Sequence, residues 1–437
     1  MGAVLKAEAN IFRSHPFRPM NQATPKKLRS APCIGVALLL MATGSIQAAE
    51  APPYSVLLQQ SLAMAPTMMV QAANVRAAGA DAAQARAWLN PRFDTLAENL
   101  GAPSSGGQSQ RQNTYSITQP FEIGGKRGAR IEVGERNYEA AQARERQLRV
   151  NYAAELAVAY ATAEAAFGRQ ALAEENLALA NEELTVARAL VETGKEATLR
   201  TAQAQASVSA AQAIEAAASS DVTSTLARLS ALSGATEAYT GISSSLLSAQ
   251  PAMTPGGTTT DDSPAVRTAE AERNAFDAQV NVERKRWIPE VGITAGVRRY
   301  GWSNESGYIV GLTASIPLFD RNRNGIDAAV QRVAAAQARL DTVRLEANAA
   351  RRSAVSQVAA TDKQLAAASQ GEQAASEAYR VGRLGYEAGK TPLVELLAVR
   401  RALVDARQLT IDARLARVRA LAALAQADGR LAFEESR

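Results

Sequence analysis

Between Glu290 and Leu318 apolar and polar side chains alternate. Val291, Ile293, Ala295 and Val297 interleave with Glu290, Gly292, Thr294, Gly296 and Arg298. Beyond the run Gly301-Trp302-Ser303-Asn304-Glu305-Ser306-Gly307, Tyr308, Val310, Leu312, Ala314, Ile316 and Leu318 interleave with Gly311, Thr313, Ser315 and Pro317. A period of two makes a strand with one apolar and one polar face, and the Gly/Ser/Asn run reads as the turn. Strands are predicted over about 288–300 and 308–318. A fainter copy, Tyr115, Ile117, Gln119 and Phe121 against Thr114, Ser116, Thr118 and Pro120, predicts strands over about 88–99 and 112–121 around a polar loop. Two readings fit: a hairpin of a soluble sheet, or membrane strands with an apolar face to lipid and a small, hydroxylated face to a watery lumen.

Elsewhere the period is helical. Arg127 to Val191 contains no proline, and Leu148, Tyr152, Leu156, Ala159, Ala163 and Phe167 step along one face. A helix that long spans ~95 Å at 1.5 Å per residue. Val333, Leu340, Ala347 and Ala354 recur every seventh position, a coiled-coil-like seam. Rods of this kind need neighbours to cover their apolar stripes. Glu192-Thr193-Gly194-Lys195-Glu196 and Glu387-Ala388-Gly389-Lys390-Thr391-Pro392 should close helix hairpins, with glycine as the left-handed C-terminal residue and Thr391-Pro392 restarting the helix before Leu393.

The same order of features occurs twice. Ala87-Trp88-Leu89-Asn90-Pro91 matches Arg286-Trp287-Ile288-Pro289, Gln119-Pro120-Phe121 matches Ile316-Pro317-Leu318, and the two Gly-Lys turns match, all 195 to 199 residues apart. An internal duplication follows. Residues 49–235 form the first repeat, 236–263 a Gly/Ser/Thr/Pro-rich linking belt, and 264–437 the second repeat. Trp88, Phe121, Trp287, Trp302, Tyr308 and Phe319 lie in or beside the strand pairs; they suit girdles at a membrane interface, with ordinary core aromatics as the alternative.

Composition sharpens this picture. Residues 1–48 read as an export signal: Lys26, Lys27 and Arg29, then apolar Ile34 to Met41, then Ile46-Gln47-Ala48 at a cleavage site, with Met20 a plausible true start. Of 48 basic and 43 acidic side chains, six and one fall in that segment, so 42 of each remain and the charge is balanced. Nucleic acid is therefore not an expected partner. Cys33 and His15 also fall there, which excludes disulfides and a Cys/His metal site from the exported part. Gly124-Gly125-Lys126 fails as a phosphate loop, because Arg127 stands where a hydroxyl is needed. Lys126 and Arg127 are placed at a membrane edge, and Asp261-Asp262 at a loop and helix start. No catalytic constellation or cofactor site is present, and no enzymatic activity is expected.

Four strands cannot seal a pore in lipid, where every backbone group must be paired. Three copies would supply twelve strands, wide enough for a conduit. At this point the duplicated plan, the Trp-x-x-Pro and Trp-x-Pro strand starts, Pro120-Phe121-Glu122-Ile123-Gly124-Gly125-Lys126-Arg127 and Ile316-Pro317-Leu318-Phe319-Asp320 resemble the TolC-like outer-membrane efflux channels. The Gly-Gly-Lys-Arg variant and Arg321-Asn322-Arg323-Asn324-Gly325 look most like the CzcC-like heavy-metal branch. The resemblance implies a mainly α chain with a β-barrel segment. It implies a homotrimer with a twelve-stranded barrel in the outer-membrane lipid and a coiled-coil tunnel in the periplasm. An inner-membrane pump would feed this passive duct through a periplasmic adaptor. Carried over, the adaptor-contact tips are Thr193, Gly194, Lys195, Glu196, Gly389, Lys390, Thr391 and Leu393. A tip gate would draw on Glu192, Glu387 and Glu395. Drug efflux or type I secretion by the same fold, and a soluble periplasmic coiled-coil adaptor, remain the alternatives.

Overall fold

The computed structural model describes residues 50–104, 106–249, 263–303 and 305–433. The expected export segment and Asp261-Asp262 lie outside them. Helices α1 (Tyr54–Met64) and α2 (Pro66–Ala85) lead into strands β1 (Arg92–Glu98) and β2 (Gln112–Phe121), then α3 (Lys126–Glu192) and α4 (Thr198–Ser233). The second half runs α5 (Pro264–Lys285), β3 (Glu290–Tyr300), β4 (Ser306–Ser315), α6 (Arg323–Glu387) and α7 (Leu393–Ala427). Apart from α1, the element types follow one another in the same order in both halves. β1 begins just after Pro91 and β4 stops short of Pro317, since proline has no N–H to give a ladder, and Pro120 lies in β2 beyond the residues that pair with β1. Trp88, Trp287 and Phe319 consequently flank the strands rather than lie in them.

At every level the chain lays out a row of four. The strands pair antiparallel in the order β1-β2-β3-β4, so the two halves meet at β2–β3. Next to the sheet, α2 packs on α3, α3 on α5 and α5 on α6. Farther along the rods, α4 packs on α3, α3 on α7 and α7 on α6. Among the described residues each row has two uncovered ends.

The rods can lie close because their contacts are small. Of the 67 residues of α3, those buried are mostly alanine, among them Ala153, Ala157, Ala161, Ala163 and Ala165, each fully buried. Tyr152, Leu156 and Tyr160 fill the same level, where α3 is wrapped on nearly every side. Each such side chain contributes about 1.5–3 kcal/mol by leaving water. Tyr54 of α1 crosses this centre, its hydroxyl 2.8 Å from the Ala153 carbonyl and 2.9 Å from that of Ala432. The heptad of α6 runs on past Leu340 and Ala354 to Thr361 and Ala368, all buried.

The belt expected over 236–263 is fastened to the rods in its described part. Glu164 of α3 accepts the backbone N–H groups of Leu246 (2.7 Å) and Leu247 (3.0 Å). Tyr160 donates to the Ser244 carbonyl, and Leu246 is buried beneath. Ile242 bridges to Ala51, so the segment also holds the start of α1.

Candidate conduit and docking tips

Register assigns the two sheet faces. Ile117 lies opposite Phe93 on one side and Ala295 on the other, and Val310 opposite Ala295. Phe93, Tyr115, Ile117, Phe121, Val291, Ile293, Val297, Tyr308, Val310 and Leu312 therefore share one face. Much of that face is bare: Tyr308 is 90%, Val310 84% and Leu312 72% exposed. A contiguous exposed apolar sheet demands a cover. No helix among the described residues is long and apolar enough to cross a membrane.

The opposite face is polar and tight. The Thr118 and Thr294 hydroxyls are 2.9 Å apart, and Thr313 donates to the Gly292 carbonyl. A side chain at Gly292 would strike Thr313 and Thr118 on the two flanking strands, at 2.8 and 3.0 Å. Such crowding is what a sheet curled toward its polar face produces. The charged strand residues on this face are all paired. Arg298 donates to Thr114 (3.0 Å) and meets Glu98 (3.5 Å), Arg92 meets Asp94 (3.1 Å), and Glu290 meets Lys126 (3.6 Å).

Where sheet meets rods, a polar collar fixes the angle of the chain. Arg130 grips Glu122 and donates to the Ala85 and Ala87 carbonyls at the end of α2, where a cation also suits the helix dipole. Arg127 donates to the Arg86 carbonyl and lies 4.9 Å over the Trp88 ring. In the second half Asn322 donates to the carbonyl (3.0 Å) and carboxylate (2.6 Å) of Glu283. That hydrogen bond holds the Glu283 carboxyl below the usual range, against the opposing push of burial. Gly125 and Asn322 each precede a long helix in left-handed conformation, with φ of 76° and 55°. The two motifs that carried the family resemblance are thus one device built with different residues. The role of Glu283 was not visible in the sequence, since nothing local connects it to Asn322.

The two hairpin turns have the same hydrogen-bonding plan. Lys195 and Lys390 N–H reach back to Leu190 and Gly385 carbonyls (2.9 and 2.8 Å), and Gly194 and Gly389 to Val191 and Tyr386 (3.0 and 2.9 Å). This is the six-to-one, five-to-two closure that a left-handed glycine permits. Thr193, Gly194, Lys195, Glu196, Gly389 and Lys390 are exposed, while Thr391 and Leu393 are half-buried. Glu192 and Glu395 are exposed, and Glu387 is paired with Arg383 at 3.0 Å. Above the tips, Arg400 binds Asn176 and Glu183, and Arg407 binds Glu175, tying α7 to α3.

The sequence pattern of the family described as outer membrane efflux protein matches residues 57–235 and again 258–430. The chain belongs to this family. Its members are channel proteins rather than enzymes, which sets aside the soluble adaptor. The nickel and cobalt resistance protein CnrC of Cupriavidus metallidurans is 76% identical over 404 residues, 92% of this chain and 97% of that one. The cobalt-zinc-cadmium resistance protein CzcC of the same organism is 30% identical over 262 residues, 58% of this chain and 60% of that one. The fold is shared with CusC, at TM-score 0.74 and 18% identity over 86% of this chain and 92% of CusC. It is also shared with the open state of the Neisseria gonorrhoeae MtrE outer membrane channel, at TM-score 0.76 and 20% identity over 88% and 90%. The TolC-like assignment made from the repeated motifs holds.

Proposed function

We propose that this chain is the outer-membrane exit duct of a tripartite efflux system that expels heavy-metal cations, nickel and cobalt first. The observation that carries this reading is the sheet: one face bare and apolar, the other polar with its charges paired, both edges open. In lipid an open edge leaves N–H and C=O groups unpaired at several kcal/mol each, so β1 of one copy must meet β4 of the next. Three copies give twelve strands around a wet lumen, with the rods continuing as a tube in the periplasm. The rods carry matching support, because Leu345, Val381 and Leu384 of α6 and Leu199 and Ile214 of α4 are exposed at the uncovered ends of their row. The doubled family match and the twin turns support an internal duplication.

The aromatics flanking the strands suit the membrane interfaces. Trp88, Phe121, Trp287 and Phe319 stand at the rod end, and Trp302 and Tyr308 at the loop end. The tips at 193–196 and 389–393 are assigned to the adaptor, and Glu192, Glu387 and Glu395 to the mouth of the tube. Among the described residues no cluster of acids, Cys or His could hold a metal, and a duct that must release its cargo needs none. The cargo follows from the kinship with CnrC and from nothing in the lumen. Purification in detergent should yield a complex of three chains that conducts in a planar bilayer. A monomer soluble in plain buffer overturns the reading. A strain lacking the gene should lose nickel and cobalt resistance and keep drug resistance; the reverse pattern moves the cargo to drugs.

A further inference from the structure

Arg298 and Arg299 are neighbours in β3 that face opposite ways. Arg298 lies on the polar face, held by Thr114 and Glu98. Arg299 is exposed, shares the apolar face with Val297 and Ile293, and lies opposite Asn113 and Ser306. It is the one charged residue among the four strands on that face. Arg111 stands beside it: its carbonyl accepts the Gly301 N–H at 2.7 Å, which continues the β2–β3 ladder one step and puts Arg111 on the same face as Arg299. Among the described residues neither guanidinium has an ion pair or a hydrogen-bonding partner, although each charge on the polar face has one.

Depth says what the missing partner is. Tyr115 and Tyr308 both lie opposite Val297, one pleat nearer the rods, where belt aromatics mark the edge of an apolar band. From Val291 to Arg299 the strand covers roughly 26 Å, or about 19 Å of depth when tilted. That is most of an apolar band of ~25 Å, and the arginine pair, one pleat beyond the tyrosine belt, stands at its loop-side edge, at headgroup level. A guanidinium there needs an anion with oxygen acceptors, and phosphate takes it bidentately.

We propose that Arg111 and Arg299 anchor the barrel to phosphorylated lipid headgroups of the outer leaflet. This rests on the membrane reading of the sheet. Each protomer contributes one such pair to the rim, and lipid held there fixes how deep the barrel sits.

The test uses the full chain in phosphatidylcholine nanodiscs and vesicles, with lipid A as the phosphorylated probe. Wild type should bind lipid A, and R111Q/R299Q should bind it roughly ten-fold more weakly. R111K/R299K should recover most of that loss, and R298Q, one residue away on the other face, should bind like wild type. Inorganic phosphate should not compete at matching concentration. Heat-dependent gel mobility reports folding of each variant. Equal lipid A binding by wild type and R111Q/R299Q overturns the proposal, as does equal loss in R298Q. If wild type inserts into phosphatidylcholine yet shows no binding to lipid A, this inference alone fails; if it does not insert, the membrane reading fails with it.

Discussion

Asn322 concentrates three constraints in one residue. It holds φ at 55°, donates twice to Glu283, and its amide occupies the space a side chain at 325 would need. The run Arg321-Asn322-Arg323-Asn324-Gly325 was legible as a motif; its reason lies in a helix 39 residues upstream. Asn322→Ala loses both hydrogen bonds to Glu283 and the short polar side chain that makes asparagine tolerant of a left-handed φ. Wild-type Glu283 has a depressed carboxyl pKa, so its contribution is present above the ordinary carboxylate range and is lost as pH falls through the lowered value. Thermal unfolding of detergent-solubilised protein should therefore show a lower Tm for Asn322→Ala at neutral pH and a shallower drop on acidification. Gly124 makes the parallel case in the first half: with φ at 65°, an added Cβ would meet Ile288 at 2.5 Å. Gly124→Ala should cost more than Gly194→Ala, where nothing lies within 4 Å and only the backbone is strained.

At the scale of elements, β3, β4 and the rods were readable because each is long and strongly periodic, whereas β1 and β2, fainter in pattern, were read from their place in the repeat. The α3 face through Tyr152, Leu156 and Ala163 is buried where the pattern placed it, and in the seven-residue seam of α6 Leu340 and Ala354 are buried while Val333 and Ala347 are half-buried. What periodicity could not give was partnership. The pairing of β2 with β3 joins residues more than 170 apart, as with Ile117 and Ala295, and α1 is distinguished from α2 only by an extended residue, Ala65, ahead of Pro66. The fastening of Leu246 and Leu247 runs through Glu164, an unremarked position in a run of alanines. Glu164→Gln should loosen that segment, seen as faster amide exchange at Leu246 and Leu247, with little change in the strands. The hairpin turns were legible down to the glycine, yet their use is not written in their geometry. On the proposed docking role of the tips, Gly194→Ala and Gly389→Ala together should spare conductance in a bilayer while lowering metal resistance in cells. Equal loss of both would remove the tips from adaptor docking.

For the whole molecule, the sheet faces make opposite predictions. Leu312→Arg puts a charge on the exposed apolar face and should cost about 2–4 kcal/mol near the bilayer midplane, read as a reduced yield of the heat-modifiable complex. Thr294→Arg, on the polar face, should leave that yield intact and narrow the conductance. The layout in rows of four, each with two uncovered ends, has a consequence for cells carrying two versions of the gene. A copy damaged at one end, in β1 or β4, still offers a sound surface at the other and is taken up by healthy chains. Every ring of the proposed trimeric kind that accepts it would stay unsealed. Such an allele is therefore expected to act dominantly, making a cell metal-sensitive even while an undamaged gene is fully expressed.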